Sequence, residues 1–169
     1  MKKLLFLVSL LIVAGLTVLI VDERLEASRL KDFSVVFDRN APEISVSTEE
    51  ASFRFRLYDN EIAKVFLKRL PQTLVMTRWG DGAYGAPLPE KIREKTDNKD
   101  ARRVFFKGEV VFSPQKNVLF LMFGQTPVAL TVDMPMLLSS HNVPIGRLEG
   151  FTALEQMTGV VEFTFEIKR

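Results

Sequence analysis

Residues 78–87 read RWGDGAYGAP, residues 123–127 read FGQTP and residues 142–150 read NVPIGRLEG. Each run sets glycine or proline beside apolar side chains, and strand-like apolar segments lie between the runs. Glycine permits tight turns and close approach of two backbones, and proline fixes the backbone at turns and strand ends. The three runs therefore indicate a β-domain whose strands end in tightly packed turns.

Strict alternation of apolar and polar residues predicts half-buried strands at 44–47, 53–57 and 161–167. Residues 73–79 are also predicted to form a strand, and residues 118–123 are almost wholly apolar, as in a strand covered on both faces. Further strand segments are expected at 104–106, paired with 109–112 around a turn, and at 144–148. The glycine- and proline-rich residues 80–89 are expected to form a broad loop or an irregular edge, and the basic and acidic residues of 91–107 a solvated loop.

One main helix is predicted after Asp59 or Asn60, either of which can cap it, and Pro71 ends it. A second, short helix is expected within residues 151–157. About eight strands with these two helices predict a mainly β fold, a closed and largely antiparallel barrel. Closure is favoured because it leaves no exposed apolar strand edge.

The N-terminus reads as a separate segment. Lys2 and Lys3 precede the apolar run Leu4–Val21, which as a helix would span about 27 Å, near the lower limit for crossing a bilayer. We expect residues 1–21 to be a transmembrane signal-anchor or a cleaved signal peptide, residues 22–42 a stalk and residues 43–169 the domain. Either alternative places the domain outside the cytoplasm, tethered to a membrane through Leu4–Val21 or secreted after cleavage.

Composition excludes several classes of function. The chain has no cysteine, which excludes disulfides, thiolate metal sites and thiol nucleophiles. The 23 basic side chains, less Lys2 and Lys3, equal the 21 acidic ones in number, so no broad positive field favours nucleic acid. A single histidine makes a zinc site improbable, and neither a metal nor a cofactor is expected.

Two apparent motifs have ordinary explanations. Residues 80–85 satisfy the G-x-G-x-x-G pattern, but proline follows instead of the helix that a dinucleotide site needs. Ser140 and His141 are neighbours on an extended segment, so their side chains point apart and do not form a hydrolase triad with Asp133. The carboxylates at 109 and 162 are expected at the surface.

The remaining candidates are aromatic and polar residues beside glycine and proline at strand ends, where side chains tend to line a cavity. They are Trp79, Tyr84, Phe123, Thr126, Pro127 and Asn142. The alternative is that the large rings simply fill the barrel.

Several of these motifs together resemble the minimal bacterial cyclophilin-like β-barrel family. The similarity rests on residues 57–60, 70–71, 77–80, 108–110, 123–127 and 142–150, and it spans about 44–167. The resemblance implies a cyclophilin barrel with short loops and a pocket on its wall. It also places Arg78 where prolyl isomerases carry their catalytic arginine, Phe123 where they carry a pocket phenylalanine and Asn142 where they carry a histidine. The isomerases' Phe-Met-x-Gln-Gly-Gly-Asp sequence and tryptophan loop are absent.

Three functions follow from this sequence. The first is a tethered extracytoplasmic domain that binds a small molecule or a proline-containing peptide between Trp79 and Phe123. The second is a prolyl isomerase acting on exported proteins with Arg78 as its catalytic residue, although an alternating strand can equally direct that arginine outward. The third is an interaction module of the cell envelope that uses the methionine-rich residues 128–138.

Overall fold

Alternating apolar and polar residues fold the domain into nine strands and two short helices. The structure is a computed structural model that describes residues 36–92, 100–124 and 136–168, with the backbone alone at 136–140. The elements are β1 (Ile44–Ser47), β2 (Ser52–Leu57), α1 (Glu61–Leu67), β3 (Gln72–Trp79), β4 (Ala83–Pro87), β5 (Arg102–Phe105), β6 (Glu109–Ser113), β7 (Val118–Met122), β8 (Met136–Glu149), α2 (Ala153–Gln156) and β9 (Val160–Ile167).

Eight of these strands close into a barrel. The sheet runs β2-β1-β9-β3-β4-β7-β6-β8, and β8 pairs again with β2, so the ring has no open edge. All described pairings are antiparallel. The predicted closed antiparallel barrel is confirmed. β5 is the ninth strand, and it lies outside the ring, paired with β8.

The alternation of each strand decides which side chains enter the barrel. In β2, Phe53, Phe55 and Leu57 are buried, whereas Arg54 and Arg56 are exposed. Burying an aromatic or aliphatic side chain of this size contributes about 1.5–3 kcal/mol, so the inward rows drive the closure. Helix α1 closes one side of this interior, and its Phe66 ring meets the ring of Phe55 edge to face at 6.1 Å.

Asn60 begins α1, as one of the two predicted caps. Its side-chain oxygen accepts a hydrogen bond from the backbone N–H of Ala63 at 2.9 Å. Its amide nitrogen donates to the carbonyl of Pro144 in β8, also at 2.9 Å. One side chain thus satisfies a free helix N–H and fastens the helix to the barrel.

Three local predictions were wrong. Residues 83–87 form β4 and not a loop, because β3 and β7 pair with both of its edges. Residues 102–105 form β5, which pairs with β8 and not with the following segment 109–112. The short strand expected at 144–148 is the end of a 14-residue strand. In each case pairing between distant segments overrides the local composition.

The predicted leader Leu4–Val21 and most of the stalk lie outside the described residues. Among the residues that are described, no helix has the length and apolar character needed to cross a membrane.

Candidate functional site

Arg78 points into the barrel. It shares the inward face of β3 with Leu74 and Met76, and its side chain is only 21% exposed. The guanidinium carbon lies 4.9 Å from the centre of the Phe123 ring, a cation–π contact. The outward orientation considered for this arginine is therefore wrong, and the structure brings Arg78 and Phe123 together.

The donors of Arg78 are largely used within the protein. Nε donates to the carbonyl of Gly80 at 3.1 Å, and Nη1 donates to the carbonyls of Glu155, at 3.2 Å, and Met157. Nη2 lies 3.7 Å from the fully exposed carboxylate of Asp81. Arg78 thus joins the end of β3 to the region of α2, which leaves few donors for a bound molecule.

Tyr84 and Phe123 fill the interior. Tyr84 is fully buried and Phe123 is 1% exposed, with their ring centres 5.6 Å apart. Tyr84 also packs on Phe163 of β9, at 5.5 Å. Gly124 follows Phe123 so closely against the backbone of Asp81 that an added Cβ would overlap it. Both rings are core side chains of the barrel.

Trp79 lies on the opposite face of the same strand. It follows Arg78 directly, so its indole points outward, and it is 48% exposed. The indole meets the ring of Phe120 edge to face, with centres 5.1 Å apart, and the Nζ of Lys116 lies 5.6 Å from the indole. The predicted hollow between Trp79 and Phe123 is not formed by the described residues. Alternation along β3 was the signal that could have separated these positions.

Of the other predicted ligand-binding residues, Thr126 and Pro127 lie outside the described residues. Asn142 is 1% exposed in β8, where its Cα faces that of Arg102 in β5. It belongs to a different part of the barrel from the Tyr84–Phe123 contact in the interior. The six candidates therefore do not form one site in the described part of the chain.

A patch on the outside of the barrel was missed by the sequence analysis. We call it the outer-wall strip. It consists of Trp79, Ala83, Val111, Phe120 and Met122. These side chains occupy outward positions on β3, β4, β6 and β7, and all except Trp79 are 4% exposed or less.

Gly85 makes room for the rings of the strip. A Cβ at this position would lie 3.0 Å from the ring of Phe120 and 3.4 Å from the indole nitrogen of Trp79. Because a methyl group would press on the Phe120 ring and touch the indole, glycine lets both rings pack directly over the strand. The strip is thus a packed apolar row that reaches solvent at Trp79.

A buried ionic cluster lies at the other end of the strip. Glu109 is 1% exposed and accepts hydrogen bonds from the Tyr58 hydroxyl at 3.1 Å, from the Phe106 backbone N–H at 2.9 Å, and from Arg102. Arg102 is itself 5% exposed. The surface position expected for Glu109 and the solvated segment expected around Arg102 are both wrong. The run of five buried residues in β6 explains why, since this strand is covered on both faces.

The cluster changes the acidity of Tyr58. Burial raises the pKa of its hydroxyl above the usual value, and the neighbouring Glu109 carboxylate raises it further. Tyr58 therefore stays a neutral donor to Glu109 at every physiological pH.

A hollow of about 430 Å³ lies elsewhere, between the β1–β2 turn and the α2–β9 turn. Its polar lining includes Glu49, Glu50 and Glu162, which are exposed carboxylates. It presents no buried polar group that fixes a ligand, so the outer-wall strip, which has the half-exposed Trp79 at one end and buried polar groups at the other, is the stronger candidate. Three or more metal-ligating side chains do not come together anywhere in the described ranges.

The comparisons with known proteins agree with this barrel. The sequence profile described as Cyclophilin-like matches residues 42–164, and the chain therefore belongs to the cyclophilin-like family. It is similar in fold to the hypothetical protein AF2241 from Archaeoglobus fulgidus, known from a solution structure. The TM-score is 0.59 at 19% sequence identity, over 75% of this chain and 95% of that one. At this identity the likeness concerns the fold alone. No curated protein matches the chain.

Proposed function

We propose that this cyclophilin-like domain binds a small molecule or a peptide segment on the outside of its barrel. The observation that carries the proposal is Trp79, which is half exposed yet held edge to face on the buried ring of Phe120. An exposed indole on a rigid aromatic base loses little conformational entropy when a ligand covers it. Tryptophan is accordingly the residue type most enriched where binding energy is concentrated.

The neighbourhood of Trp79 supports the same proposal. Val75 and Val160 are 59% and 62% exposed, and Val160 pairs with Thr77 beside the indole on the outer face. Apolar side chains exposed next to one another on a sheet are typical of a binding surface. Lys116 adds a charged group at the edge that could orient a ligand.

We further propose that the domain acts outside the cytoplasm, tethered through Leu4–Val21 or released by cleavage. The support is the positive start, the apolar run and the charged segment that follows it. A cysteine-free domain with balanced charge is compatible with that location.

Binding at Trp79 is testable by substitution. The ligand for the test is a co-purified molecule identified by mass spectrometry, or an acetylated tetrapeptide from a library screen. We expect Trp79→Ala to weaken its binding by about tenfold or more. Isothermal titration measures the affinity of both proteins. The fluorescence of Trp79, the single tryptophan of the chain, reports whether the ligand reaches the indole.

The matched control is Ile167→Ala, which removes an apolar side chain 43% exposed at the far end of β9. Its affinity is expected to equal that of the unmodified protein. Equal losses from the two substitutions, or a ligand that leaves the indole emission unchanged, contradict binding at the strip.

Prolyl isomerase activity is the second candidate, favoured by the 4.9 Å contact of Arg78 with Phe123. Its catalysis requires an arginine donor directed at a substrate proline. Three of the donor contacts of Arg78 instead go to the carbonyls of Gly80, Glu155 and Met157. The site therefore offers poor geometry for this reaction.

We expect no measurable acceleration of cis–trans exchange in a proline tetrapeptide followed by a protease-coupled assay. Activity in the unmodified protein that is lost in Arg78→Lys, with the unfolding midpoint maintained, would show that Arg78 is catalytic. Activity that is the same in both proteins would exclude Arg78 as its source.

A further inference from the structure

Strand β5 covers part of the outer-wall strip. Although β5 is outside the closed ring, its Phe105 is fully buried and belongs to one apolar cluster with Ala83, Val111, Phe120 and Met122. Side chains on the outside of a barrel are normally exposed. Here they are buried at the β5 end and open to solvent at Trp79. The strip thus runs from an exposed indole to a position beneath β5.

Arg102, the first residue of β5, has unused hydrogen-bond donors at that covered end. One of its terminal nitrogens donates to Glu109, but Nε and Nη1 have no partner among the described residues, although the residue is 5% exposed. A buried donor without an acceptor is destabilising, and more so when it is charged, because it has lost its hydrogen bonds to water. Two such donors on one side chain indicate a place where an acceptor binds.

The surroundings of Arg102 decide which acceptor fits. Arg102 is already paired with the buried Glu109 carboxylate, so a second carboxylate at its free donors would be buried beside a like charge and repelled by it. The rings of Phe105 and Phe106 lie 5.4 and 5.7 Å from the guanidinium carbon and make the position apolar. A neutral carbonyl oxygen accepts from these donors without that electrostatic cost.

We propose that the outer-wall strip binds a small, mainly apolar molecule that carries a neutral carbonyl group, with Arg102 donating to the carbonyl and β5 closing over it. This inference rests on the proposed binding at Trp79 and adds the ligand class and a second anchor. Glu109, the ion-pair partner of Arg102, lies on β6, and β6 is three strand spacings, about 14 Å, from β3, so one small molecule can reach from the indole toward this pair.

β5 is suited to move for entry. It has four residues, its register with β8 shifts between Arg102 and Val104, and its only described strand partner is β8. The other wall strands are paired on both edges. A ligand that lies beneath β5 is therefore expected to slow amide hydrogen exchange at 102–105.

The test uses the full chain in dodecyl maltoside micelles and three compounds with one carbon skeleton. They are 4-phenylbutanamide, 4-phenylbutanoate and 4-phenylbutylamine, which differ in carrying a neutral carbonyl, an anion or a cation. Trp79 fluorescence and isothermal titration measure affinity, and mass spectrometry measures exchange at 102–105. We expect the amide to bind about tenfold more tightly than the other two compounds and to slow that exchange severalfold.

Arg102→Lys keeps a positive charge beside Glu109 but replaces Nε and Nη1 with one ammonium group, whose donors cannot reach both the Glu109 carboxylate and the positions of Nε and Nη1. We expect it to weaken amide binding about tenfold and to change binding of the anion and the cation less than twofold. The control Arg54→Lys, on an exposed position of β2, should change none of the three affinities. Amide hydrogen exchange at 102–105 is measured in the unmodified protein, so it tests the inference even if Arg102→Lys does not fold.

The outcomes separate the two proposals. One outcome is that the compounds alter Trp79 emission, bind Arg102→Lys with unchanged affinity and do not slow exchange at 102–105. That result supports binding at Trp79 and overturns the role of Arg102. Equal affinity for all three compounds, or binding by none, also overturns it. Binding that depends on Arg102 but not on Trp79 would instead support the new anchor and contradict the proposed surface at the indole.

Discussion

Replacing Glu109 with glutamine is expected to lower the free energy of unfolding by about 3–5 kcal/mol. Glu109 and Arg102 are buried together, and the carboxylate accepts hydrogen bonds from Arg102, the Tyr58 hydroxyl and the Phe106 N–H. The amide of glutamine carries no charge, so the guanidinium of Arg102 would stay buried without its counter-ion. That desolvated charge is the main source of the loss.

Urea unfolding followed by circular dichroism measures this effect. Glu162→Gln is the matched control, because this carboxylate lies exposed on β9, and a change within about 0.5 kcal/mol is expected. The double variant Arg102→Met/Glu109→Leu should be more stable than Glu109→Gln, since it removes both buried charges. A loss below about 1 kcal/mol in Glu109→Gln would show that water or a mobile β5 solvates the pair.

The strands of the barrel and the helix cap were predictable because their signals are local, whereas closure was inferred from the need to pair the apolar strand edges. Residues 53–57 and 161–167 alternate strictly between apolar and polar side chains, and this pattern predicts a strand with one face in the core. The cap at Asn60 was also predictable from its position before the helical pattern. Each of these signals is contained within about ten residues.

Strand β4 could not be predicted in the same way. Its sequence AYGAP contains a glycine and a proline, which lower the tendency to form a strand. Its position between β3 and β7 offsets this low tendency, because both edges of β4 form hydrogen bonds with strands from other parts of the chain. Gly85 in particular is needed for the rings above it and not for a turn.

The candidate site was only partly predictable, because the position of a residue along its strand decides whether the side chain points into the barrel or outward. The sequence analysis placed Trp79 among the ligand-binding candidates, but its grouping with Phe123 ignored the alternation that puts Arg78 inward and Trp79 outward. Phe120, the actual neighbour of the indole, was passed over as one member of an apolar run. Glu109 was missed because its burial depends on the fold, which brings Tyr58, 51 residues away in sequence, and the side chain of Arg102 to the same carboxylate.

Gly146→Ala is expected to destabilise the barrel by about 3 kcal/mol or more. Gly146 lies near the C-terminal end of β8, opposite Leu57 of β2 and Val110 of β6. A Cβ added there would overlap the Phe55 ring and the backbone carbonyl of Arg56. Because β8 is hydrogen-bonded along both edges at this point, its backbone cannot shift away without breaking the closure of the ring.

The comparison with Gly159→Ala isolates this steric effect. Gly159 has φ +71°, so alanine is strained there by about 1 kcal/mol, but nothing lies within 4 Å of its Cβ position. Urea unfolding should therefore rank Gly146→Ala well below Gly159→Ala in stability. Adding Phe55→Leu to Gly146→Ala should recover part of the loss, since it removes one of the two overlaps and leaves the carbonyl of Arg56. Equal stability of the two glycine variants would mean that β2 and β8 separate easily, so that the barrel is not held closed at this seam.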